Sequence, residues 1–200
     1  MYEPFIFLYL YIIKSIQGVD NSKMVIELLQ RVCKSLDSSE IPYMISGSIA
    51  SNIYTIPRMT RDIDIVIELS ENRVDEFTQL FPNSYFNRNA IIEGVRQQGM
   101  FNIIDNETGF KIDFIIRKQT EYFQLAFKNR KRIHELDIDL WVIDINDLII
   151  AKIIWIQKYQ SEKQMTDIEN LLSNPVKDLN YIRSWCNILM LKTFNLLDNE

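Results

Sequence analysis

The first clear pattern in the chain is helical. Val25, Leu28, Leu29, Val32, Cys33 and Leu36 recur at i, i+3, i+4 and i+7, with Ser22 as the expected N-cap and the Asp37-Ser38-Ser39 run as the stop. Pro42 then introduces a strand through Ile45, which breaks at Gly47-Ser48. A small-residue helix from Ser48 to Thr55 and a loop with Pro57 lead to a second strand over 62–69. There the period is two: Ile63, Ile65 and Ile67 face one way, and Asp62, Asp64 and Glu68 the other.

The later chain alternates in the same manner. A short helix is expected over 71–81, stopped by Pro82, and another over 87–95. Met100 to Ile104 and Gly109 to Ile116 read as a hairpin about the turn Asp105-Asn-Glu-Thr-Gly109. In its second strand Asp113 shares a face with Lys111 and Ile115, while Ile112, Phe114 and Ile116 take the other. A helix over 120–130, a strand over 140–143 and helices over 144–159 and 161–172 follow, with one or two more over 179–197. Together these predict an α/β (α+β) fold, a small mixed β-sheet flanked by helices with a helical bundle at the C-terminal end. The expected divisions are an apolar extension over 1–23, a sheet domain over 24–143 and a helical region over 144–200. The run Phe5–Ile13 is too short for a spanning helix, which needs about 20 residues, and Glu3 opposes a secretory signal.

Composition narrows the function more than the fold. At 200 residues, with a net charge of -5, the chain fits one domain, or one domain with a helical appendage, and is poorly suited to coating DNA. One basic cluster, Lys128-Asn-Arg-Lys-Arg132, runs against that charge; it reads as a solvated helix end, or else as a phosphate or RNA contact. Cys33 and Cys186 fall in apolar helical patterns without metal-ligand spacing, as expected of core residues in a reduced, cytoplasmic protein. The lone His134 gives no basis for a Ser-His or Cys-His mechanism.

The candidate chemistry lies between residues 47 and 64. Asp62 and Asp64, one residue apart on a strand face, can converge on a hard cation, which prefers oxygen ligands. Gly47-Ser48 ahead of a helix offers free backbone N–H groups to an anion such as phosphate. Metal ligands beside a phosphate cradle suggest phosphoryl or nucleotidyl transfer. The plainer reading of the strand is a half-buried one with a solvated face. Lys152 stands among Leu148, Ile149, Trp155 and Ile156 at helical spacing, so its ammonium either snorkels to water or meets an anion.

Gly47-Ser48, then Arg58 and Thr60 in Pro57-Arg-Met-Thr-Arg-Asp-Ile-Asp64, resemble the signature of the polymerase-beta-like nucleotidyltransferase superfamily. The wording is similar to its small bacterial members, including abortive-infection-type and aminoglycoside-type enzymes. The resemblance runs from about Met24 onward and takes in Phe101-Asn-Ile-Ile104, Lys111-Ile-Asp-Phe114 and Ser161–Asp167. It implies transfer of a nucleoside monophosphate from an NTP, with Mg²⁺ or Mn²⁺ held by Asp62 and Asp64 and by a third carboxylate, for which Asp113 is the candidate. Gly47, Ser48, Arg58, Thr60 and Lys152 would then serve the nucleotide. The acceptor is left open among small molecules, RNA ends and proteins, with no membrane partner. The alternative is a silent nucleotide- or partner-binding module of toxin–antitoxin type.

Overall fold

Isoleucines at every second position build the central sheet. In β2 (Asp62–Ile67), Ile63, Ile65 and Ile67 are fully buried, and in β5 (Lys111–Ile116) Ile112, Phe114 and Ile116 fill the same layer. The computed structural model describes residues 19–58, 60, 62–135 and 138–198. Most of the expected N-terminal apolar extension, residues 1–18, lies outside these. Among the described residues, β1 (Tyr43–Ile45), β2, β3 (Ser84–Phe86), β4 (Met100–Asp105), β5, β6 (Lys131–Glu135) and β7 (Ile138–Val142) form one sheet in the order β3-β4-β5-β2-β1-β7-β6. Pairing is parallel for β2/β5 and β1/β7 and antiparallel elsewhere.

Around the sheet run α1 (Val19–Ser38), α2 (Gly47–Tyr54), α3 (Val74–Gln79), α4 (Arg88–Arg96), α5 (Glu121–Lys128), α6 (Ile145–Ile156), α7 (Glu162–Leu172) and α8 (Leu179–Ile188). On one face, Phe77 of α3 and Phe81 after it close on Phe101 and Phe114 of the sheet. Phe77 meets Phe114 edge-on at 5.1 Å, and Phe101 stacks on Phe114 at 5.5 Å. Toward the carboxylate face, α2 packs on β2 and joins α6 and α7. The buried Asp147 of α6 accepts from Tyr181 Oη at 2.9 Å and Asn129 Nδ2 at 3.1 Å, which ties α8 and the end of α5 to α6. Burial holds its carboxyl above the usual range, against the hydrogen bonds from Asn129 and Tyr181. None of the described helices is long and apolar enough to cross a membrane.

The structure departs from the sequence expectations at element ends and edges. α1 begins at Val19, ahead of Ser22. The 71–81 segment divides into a 3-10 turn (Glu71–Arg73) and α3. The chain after α8 is not helical, and Met190, Phe194 and Asn195 there take positive φ. β3 and β6, the two outer strands, carry too little apolar alternation to read as strands. In β6 the pattern is Lys-Arg-Ile-His-Glu, with Lys131 on Asp144 at 2.6 Å and Arg132 on Asp139 at 3.0 Å. Charges of this kind blunt an open sheet edge. The basic cluster therefore straddles the end of α5 and this edge strand rather than forming a helix end. Cys33 and Cys186 are buried free thiols, and His134 is exposed beside Asp139.

Removing Phe114 takes out one of the two rings that meet all the others in the aromatic cluster, on the face away from the carboxylates. Phe114→Ala should cost about 3–5 kcal/mol in urea unfolding. A loss below about 1 kcal/mol would mean that the other rings close the gap.

Candidate active site

Gly47 opens α2 in the left-handed region, at φ +58°. A Cβ there would stand 1.8 Å from Asp64 Oδ2, so the helix start can approach the Asp64 carboxylate this closely only with glycine. The Ser48 backbone N–H donates to that carboxylate, and Ser46 N–H bonds the Asp64 carbonyl at 2.9 Å. Turn and strand are thereby fixed to each other through both backbone and side chain.

The register of β2 on β5 does the rest. Asp64 lies opposite Asp113 and Asp62 opposite Lys111, on adjacent parallel strands and on one face. Next along the sheet, Asn102 of β4 lies opposite Asp113. The Asp113 side chain is buried, and its Oδ1 has no hydrogen-bond partner. Desolvation pushes the Asp64 carboxyl above the usual range, with Asp113 and Asp62 adding to the effect. Lys111 stands between the outer two acids. Its Nζ is 2.7 Å from Asp113 Oδ2 and 3.7 Å from Asp62 Oδ1, and the Asp113 contact raises its pKa.

A second charged group flanks the turn. Arg58 forks onto Asp167 of α7, with Nε at 2.8 Å from Oδ1 and an Nη at 2.7 Å from Oδ2, and also donates to Ser48 Oγ at 2.9 Å. Lys152 of α6 donates to the same Asp167 Oδ2 at 2.9 Å. Desolvation opposes the charge on Asp167, but the bonds from Arg58 and Lys152 prevail and hold it below the usual range. The Arg58 backbone is clamped by the Asn52 side chain, which accepts from its N–H at 3.0 Å and donates to its carbonyl at 2.8 Å. A cavity of about 530 Å³ opens beside this group, lined by Asn52, Thr55, Arg58, Thr166, Asp167 and Asn170 among others.

The structure thus brings Asp62, Asp64 and Asp113 onto one face next to Gly47 and Ser48. It links Ser48 through Arg58 to Asp167, and Asp167 to Lys152. Thr60 instead bonds the Asp62 backbone and shapes the start of β2. Sequence reasoning missed Asn52 as the clamp of Arg58, Asp167 as the partner of Arg58, and Lys111 as the cation among the acids. Asn52, an amide inside a helix where it is a poor helix former, carried a local signal, and so did Lys111, two positions from Asp113 on one face of β5.

Among the described residues, no three His, Cys, Asp or Glu side chains converge closely enough to hold a metal ion. Lys111 stands between Asp62 and Asp113. Their chemistry nevertheless suits a hard cation, since the donors are carboxylates and the buried Asp113 Oδ1 has no partner.

No protein-family model matches this sequence, nor does the sequence of any curated protein. Among solved structures the chain is similar to an antigenic nucleotidyltransferase-like protein from Paracoccidioides brasiliensis. That pair is 17% identical over 86% of this chain and 88% of the other, with a TM-score of 0.50. It is also similar to the antibiotic-resistance factor ANT(2'')-Ia, at 12% identity over 88% of each chain and a TM-score of 0.49. The lincosamide antibiotic adenylyltransferase LnuA, with lincomycin bound, is 13% identical over 77% of this chain and 96% of its own, with a TM-score of 0.47. At such identities the likeness concerns architecture, and the chain has a nucleotidyltransferase-like fold: a seven-stranded mixed sheet with flanking and C-terminal helices.

Proposed function

We propose that the chain is a metal-dependent nucleotidyltransferase that moves a nucleoside monophosphate from an NTP to an acceptor hydroxyl. The observation that carries this reading is the register placing Asp64 opposite Asp113, with Asp62 on the same face and the Gly47 turn against Asp64. Asp62, Asp64 and Asp113 are the carboxylates that would hold Mg²⁺ or Mn²⁺. When bound, such an ion would offset the charge of the triphosphate and lower the pKa of an acceptor hydroxyl.

The side chains then divide the work. Ser48 Oγ and the first turn of α2 receive the β- and γ-phosphates beside the carboxylates. Arg58, oriented by Asp167 and Asn52, offsets charge that develops on the pyrophosphate. The acceptor oxygen bonds to the α-phosphorus as the bond to the α,β-bridging oxygen breaks and pyrophosphate leaves. Asp113 accepts the hydroxyl proton. Lys152 acts at one remove, by holding Asp167. The buried free thiols suit a reducing compartment such as the cytoplasm.

One observation favours a second reading. Lys111 already neutralises part of the acidic cluster, as a silent nucleotide- or partner-binding module would require. Turnover separates the two: incubation with a labelled NTP and Mg²⁺ or Mn²⁺ should release pyrophosphate in the enzyme and not in the module.

An NTP with Mn²⁺ should stabilise the fold by about 2.7 kcal/mol when its concentration is ~100-fold above Kd. Asp64→Asn should abolish the metal-dependent part of that shift in a thermal melt. Equal shifts with and without metal in both proteins would indicate nonspecific anion binding.

Asp167 gives a separate check. Asp167→Ala leaves Arg58 and Lys152 as neighbouring cations without their anion, so stability should fall by about 3–5 kcal/mol. Lys152→Met leaves Asp167 its two bonds from Arg58. It should lower the melting temperature less and weaken NTP binding less than Arg58→Met does. An NTP affinity that falls more in Lys152→Met than in Arg58→Met would instead put Lys152 in direct contact with the nucleotide.

A further inference from the structure

The Lys111 ammonium lies where the charges of Asp62 and Asp113 meet. It is 2.7 Å from Asp113 Oδ2 and 3.7 Å from Asp62 Oδ1, and it comes from the strand position directly opposite Asp62. Three carboxylates on neighbouring positions of one sheet face repel one another unless a cation sits among them. Within this face the chain supplies one. Asp64, by contrast, is pinned by Gly47 and the Ser48 N–H on the side of the phosphate turn. The carboxylates therefore fall into two unequal halves: a nucleotide side at Asp64, against the Gly47 turn, and an acceptor side between Asp62 and Asp113 that already holds a positive charge.

We propose that Lys111 is the resident cation of the acceptor side, taking the place of a second divalent ion, so that the chain binds one divalent ion with its nucleotide rather than two. This rests on the nucleotidyltransferase reading of the same carboxylates. The ammonium also fixes which oxygen of Asp113 is free. Oδ2 is held by Lys111, and Oδ1 is buried without a partner. Lys111 is a positioning residue in this arrangement: it carries no bond to the reacting groups and sets the charge and orientation of Asp113. Its side chain is 40% exposed, so an ordinary ionic exchange can move it, and its removal opens the place to a metal.

The test is the number of Mn²⁺ ions bound, read from the loss of the free-ion EPR signal when the full chain is titrated in the presence of a non-hydrolysable NTP analogue. The wild-type chain should bind one Mn²⁺ per chain beyond that taken up by the free analogue. Lys111→Met should bind a second, at least tenfold more tightly than any second ion in the wild type. Lys111→Arg, which keeps the charge, should return to one. Lys118→Met removes the same charge away from the carboxylates and should also stay at one, which separates displacement from a general change in field. Lys111→Gln gives the same readout if the methionine variant does not fold. A second Mn²⁺ equally tight in the wild type and in Lys111→Met would overturn the inference and leave the nucleotidyltransferase reading standing. So would weaker binding of the first ion in Lys111→Met, which would make Lys111 a support of the site rather than a competitor. No Mn²⁺ beyond that of the free analogue in any variant would overturn both.

Discussion

The contact on which the site depends is the approach of Gly47 to Asp64. Because residue 47 has no Cβ and sits at φ +58°, the start of α2 can lie against a strand carboxylate and give it a backbone N–H. That places the positive end of a helix beside an acidic group that desolvation and two like-charged neighbours would otherwise disfavour. The same contact sets the position of α2 over the sheet. The distance from Ser48 to Arg58, and from Arg58 to α7, follows from it.

Two ionic assemblies meet at this turn, and they differ in kind. Asp167 collects Arg58 and Lys152, so a single buried acid joins the loop before β2 to two helices of the C-terminal region. A partner lost from such a group leaves a charge without compensation in a poorly solvated place. The acidic face has the opposite imbalance, with three carboxylates and one lysine. The first assembly holds an arginine against Ser48 at the Gly47 turn, and the second leaves an acidic surface with Lys111 set into it. Asn52 serves the first by fixing the backbone of Arg58, which leaves the guanidinium few ways to turn.

The opposite face of the sheet carries the stability. Its buried isoleucines and the four-ring phenylalanine cluster fill the layer beneath the carboxylates. Strand alternation lets one segment serve both ends: Ile112 and Phe114 point into the core while Lys111 and Asp113 point to the site. A one-residue slip in β2 or β5 would turn the acids inward and expose the apolar side chains, so the hydrophobic core itself enforces the register that puts Asp62, Asp64 and Asp113 on one face.

Local pattern was enough for much of this. The two-residue period in β2 and β5 assigned each acid to a face, the apolar spacing of α1 and α6 marked them as helices, and Gly-Ser before a helix marked the turn. These are short-range effects, set by backbone geometry and the side chain alone. The edge strand β6 escaped because its charges discourage further pairing and erase the alternation a strand would otherwise show, and β3 because three residues are too few to display a period. What the tertiary structure alone decided was which distant groups meet. Asp113 is opposite Asp64 because β5 lies parallel to β2, Arg58 reaches Asp167 across 109 residues, and Lys111 falls between two acids through the same strand register. Such pairings depend on sheet order and helix docking, which the packing of the whole core determines and no single stretch of sequence contains.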